Sequence, residues 1–92
     1  MTTVTYSTTA DMEFKGSNWT AYMRRKPSLT GIFFEIWEKI KESENIPFDN
    51  LLAVLKSHRY KSRATNRIGK HQDTIIEIYQ YGILPIIWIE KV

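Results

Sequence analysis

The apolar residues Leu29, Ile32, Phe33, Ile36, Trp37 and Ile40 recur at i, i+3, i+4, i+7, i+8 and i+11. Only a helix gathers that spacing into one stripe. The pattern predicts a helix over 29–42, with Ser28 as its N-cap. Glu35, Glu38, Lys39, Lys41 and Glu42 take the other face, and Glu35–Lys39 has the favourable i, i+4 order. Gly31 costs such a helix about 1 kcal/mol, tolerable near the first turn. Phe34 alone lies off the stripe and is a candidate exposed contact, although isolated exposed apolar residues are ordinary. Ser43-Glu44-Asn45 ends the helix. A stripe this wide requires a second layer to cover it.

The flanking sequence supplies that layer. Pro47 and Asp49 suit the opening turn of a second helix. Phe48, Leu51, Leu52 and Leu55 form its apolar face, so a short connection makes a helical hairpin. Residues 2–8, TTVTYST, read as a strand. Met12 and Phe14 suggest another, ending in the turn Gly16-Ser17-Asn18. Alternation of Trp19, Ala21 and Met23 gives a third, closed by Arg24-Arg25-Lys26 and stopped by Pro27. Residues 74–81 fit either a helix with Gly82 beyond its end or a strand. Their threonine, isoleucine and tyrosine content favours a C-terminal hairpin of 74–81 and 86–91 through Gly82 and Pro85. The expected fold class is α+β: an antiparallel sheet of about four strands from the N- and C-terminal segments, with two helices packed on one face. A length of 92 residues is one domain, 1–92.

The charge distribution is uneven in a way no fold requires. Residues 56–72, KSHRYKSRATNRIGKHQ, hold six Lys/Arg, both histidines and no acid, which leaves seven bases against ten acids elsewhere. The net +3 is therefore a local surplus on a mildly acidic body. Cysteine is absent, which excludes a disulfide framework and thiolate metal sites. The longest strongly apolar run, Ile83 to Ile89, is interrupted by Pro85 and falls short of the roughly 20 residues a membrane span needs. The first residues have no basic n-region followed by an apolar run, so no secretory signal is read there, and the sequon Asn18-Trp19-Thr20 is read as chance. The expectation is a soluble, cytoplasmic protein.

Mixed Arg and Lys, interleaved with Ser57, Ser62, Thr65, Asn66 and Gln72, match what a phosphate backbone needs. Arg offers forked donors, Lys a point charge, and the hydroxyls and amides neutral hydrogen bonds. Tyr60 suits stacking on a base. The candidate partner-binding set is Arg24, Arg25, Lys26, Lys56, Arg59, Tyr60, Lys61, Arg63, Arg67 and Lys70. An acidic protein face is a second fit, and a solvated loop that serves solubility is a third. His58 and His71 among these cations also suit a metal-independent ribonuclease, with a histidine as acid or base and Arg or Lys on the phosphate. No catalytic residue is assigned.

Metal ligation is not expected: there is no His-x-x-x-His, and Asp73 and Glu77 read as solvated acids of one strand. The four glycines are scattered and build no phosphate-cradling loop, and no G-x-S-x-G occurs. No cofactor and no small-molecule substrate are expected.

A chain of 92 residues, cysteine-free, α+β and basic over one segment, resembles the small phage-encoded inhibitors of host defence, including anti-CRISPR proteins. The resemblance is one of size and profile over the whole chain. No residue pattern carries it and no functional residue transfers. It implies a stoichiometric, non-enzymatic inhibitor acting in the cytoplasm of a host cell on an RNA-guided nucleoprotein complex. Arg59, Lys61, Arg63 and Arg67 would then occupy a place meant for target DNA or guide RNA. Inhibitors that mimic DNA are mostly acidic, so a basic chain points instead to contact with RNA or an acidic subunit. A free-standing DNA- or RNA-binding regulator and a small ribonuclease toxin remain the alternatives.

Overall fold

A computed structural model describes residues 10–24, 31–58, 68–71, 73–79 and 84–92. The strand expected over 2–8, the expected N-cap Ser28, Leu29 and most of 56–72 lie outside these residues. The elements run β1 (Met12–Lys15), β2 (Trp19–Met23), α1 (Ile32–Glu42), α2 (Phe48–Ser57), β3 (Ile68–His71), β4 (Ile75–Ile78) and β5 (Ile87–Lys91). The fold class is α+β, built on one antiparallel sheet ordered β1-β2-β5-β4-β3.

Two expectations need correction. The sheet has five strands among the described residues, not about four. The unexpected one is β3, inside the basic stretch 56–72, where no strand was expected. Ile68 is its only strongly apolar residue, so alternation is absent, yet Ile68 is buried opposite Ile78 and anchors the pairing. Helix α1 starts at Ile32, because Gly31 is extended (φ −84°, ψ 159°) and occupies the N-cap position without a side-chain cap. Lys39 lies 3.9 Å from Glu42 and Lys41 lies 2.8 Å from Glu38, pairs that replace the expected Glu35–Lys39 contact. Such surface pairs contribute little.

One buried cluster contains residues of both helices and of the sheet. Phe33, Ile36, Trp37 and Ile40 of α1 and Phe48, Leu51 and Leu55 of α2 meet Trp19, Ala21, Met23, Ile68, Ile76, Ile78, Ile87 and Ile89. These strand residues share a face, since Ala21 pairs with Ile89, Ile89 with Ile76, and Ile87 with both Met23 and Ile78. The opposite face carries two registered rows. One is Glu13–Tyr22–Trp88–Glu77–Gly69 and the other is Lys15–Thr20–Glu90–Ile75–His71. Trp88 and Ile75 are fully buried on that side as well, and Glu77 is only 8% exposed. Strands buried on both faces read as continuous apolar runs, which accounts for Ile-Ile-Trp-Ile at 86–89.

The β1–β2 turn is tied to the connection between the helices. The Ser17 N–H donates to the Glu44 carbonyl at 2.8 Å, and Trp19 Nε1 donates to the Ile46 carbonyl at 2.7 Å. Helix α2 starts after Pro47 without a cap from its own N-cap residue. Asn18 Oδ1 accepts from the Phe48 N–H at 2.8 Å and serves as that cap from the hairpin turn. At the other end of α2, Ser57 is followed by His58 in extended geometry (φ −75°, ψ 136°).

Candidate nucleic-acid interface

Three of the ten candidate contact residues fall among the described ones. Lys56 sits in the last turn of α2 and is exposed, where a cation also complements the helix dipole. Lys70 is exposed on β3, the last strand of the sheet among the described residues, opposite Ile76. Arg24 follows β2 directly. Arg25, Lys26, Arg59, Tyr60, Lys61, Arg63 and Arg67 lie outside the described residues.

The register relates the two basic stretches. Met12, Met23, Ile87, Ile78 and Ile68 form one row across all five strands. The chain leaves β2 past Met23 into Arg24, and it joins β3 at Ile68, the near end of the same row. The two points are three strands apart, about 14 Å at the usual spacing. Helix α2, which delivers the chain to 59–67, packs against β3. The described anchors of both basic stretches therefore belong to one side of the fold, although they are more than forty residues apart in sequence.

Arg24 is engaged within the protein. Its backbone N–H donates to the Ile86 carbonyl at 2.8 Å and its Nε to the Pro85 carbonyl at 3.0 Å. Its guanidinium lies 5.1 Å from the centre of the Trp88 ring, a cation–π arrangement. Trp88 in turn stacks on Tyr22 with ring centres 5.6 Å apart. Half-buried Arg24 thus pins the end of β2 to the start of β5.

The Trp88 face carries charges of both signs, Lys15 and Arg24 beside three glutamates. Glu13, Glu77 and Glu90 lie there around Tyr22 and Trp88. Burial raises the Tyr22 phenol above its ordinary pKa, and the nearby carboxylates of Glu90 and Glu13 add to the shift. Glu77, His58 and Tyr79 each make an interaction of their own. This aromatic side was missed by the sequence reading. The only local signal for it was the unalternating run at 86–89.

The backbone of His71 is held in β3 opposite Ile75, at the end of that strand away from Ile68, and His58 is exposed beyond α2. Among the described residues, no group of three or more His, Cys, Asp or Glu is placed to hold a metal ion. No helix among them is long and apolar enough to cross a membrane. No protein-family model, no curated protein and no solved structure matches this chain.

Proposed function

We propose that this chain is a non-enzymatic binding protein that docks on a nucleoprotein complex through the basic segment 56–72. In the form implied by the resemblance to anti-CRISPR proteins, it is a stoichiometric inhibitor of an RNA-guided complex. Both helices lie over the face that carries Ala21 and Ile76 in this reading, which leaves β3 and the end of the sheet at Met23 and Ile68 for the partner. Arg59, Lys61, Arg63 and Arg67 contact phosphate, Tyr60 stacks on a base, and Lys56 and Lys70 flank them. Arg25 and Lys26, which follow Arg24 in the sequence, add to the contact.

One observation supports the reading above the others. The register aligns the end of β2 with the start of β3, so the stretches 24–26 and 56–72 are anchored about 14 Å apart. Those stretches contain nine of the thirteen bases and no acid. The remainder of the chain is net acidic, and a concentration of positive charge in two stretches of sequence is what steers anionic partners.

The test compares binding to an assembled RNA-guided complex with binding to the same RNA alone. The expected result is tighter binding to the complex, lost when Arg59, Lys61, Arg63 and Arg67 are replaced by alanine. Equal binding to complex and bare RNA would favour a free-standing nucleic-acid binder. Cleavage of the RNA, abolished by His58→Ala or His71→Ala in a folded variant, would favour the ribonuclease.

A further inference from the structure

We draw no further inference here: the strongest candidate, the side of the sheet that carries Tyr22 stacked on Trp88 with Ile75 beside them, is an aromatic and apolar face for which nothing in the structure shows what covers it.

Discussion

Gly16 is the position where the fold has no room for a side chain. A Cβ there would fall on the ring of Trp19, against Cε2, Cζ2 and Cδ2. Trp19 cannot yield cheaply. It is 1% exposed, packs against Phe14 with ring centres 6.1 Å apart, and donates to the Ile46 carbonyl at 2.7 Å. Carbon atoms in contact sit about 3.5–4.0 Å apart, so Gly16→Ala forces the ring back by more than about 1 Å. That shift stretches the indole bond past the useful range of a hydrogen bond. A lost bond with a buried donor costs about 1–3 kcal/mol, and overpacking adds about 1–3 kcal/mol. Relaxation shared between the two leaves an expected loss of roughly 2–4 kcal/mol. For a domain of this size that lowers the melting temperature by roughly 10–25 °C. Thermal unfolding followed by circular dichroism and tryptophan fluorescence measures it. A Gly16→Ala variant that melts within about 3 °C of the native chain would refute the packing described for Trp19.

Three further outcomes follow from particular contacts. Asn18→Ala removes the acceptor that caps α2 at Phe48 and should cost about 1 kcal/mol in urea unfolding, while Asn18→Asp should retain most of the stability. Asp73 has φ 60° between β3 and β4, so Asp73→Gly should be neutral or stabilising and Asp73→Val should lose about 1–2 kcal/mol. The pKa of Tyr22 is raised in the folded state, so the unfolded chain ionises there first. The stabilisation tied to its protonated form is complete below pH 10.0 and is lost as the pH rises through the folded pKa. Urea midpoints on either side of pH 10.0 should therefore fall less steeply with pH in Tyr22→Phe than in the native chain.

The parts of the fold legible in the sequence are those where burial imposes a period. Ile32, Phe33, Ile36, Trp37 and Ile40 marked α1 because a helix buried on one side repeats every 3.6 residues. Phe48, Leu51 and Leu55 marked α2 for the same reason. The β1–β2 turn was visible in Gly16-Ser17-Asn18, whose residues the fold uses for close approach and capping. Strand β3 was not legible, since Ile68 is its one buried apolar residue and Gly69 and Lys70 resemble a loop. Helix and strand competed at 74–81 because β4 is buried on both faces and shows no alternation. The surplus of charge in 56–72 could be read directly. The role of Arg24 could not, because its partners Pro85 and Trp88 are about sixty residues away and only the sheet brings them near.

The proposed function rests on residues 56–72 contacting phosphates. The most direct measurement is the salt dependence of binding to a labelled single-stranded RNA by the native chain and by the variant with Arg59, Lys61, Arg63 and Arg67 replaced by alanine. Each phosphate contact on a single strand contributes about 0.7 to the slope of log K against log salt concentration. The account predicts a steep native slope that falls by about 3 in the fourfold variant, with circular dichroism unchanged. Equal slopes for the two proteins would contradict it.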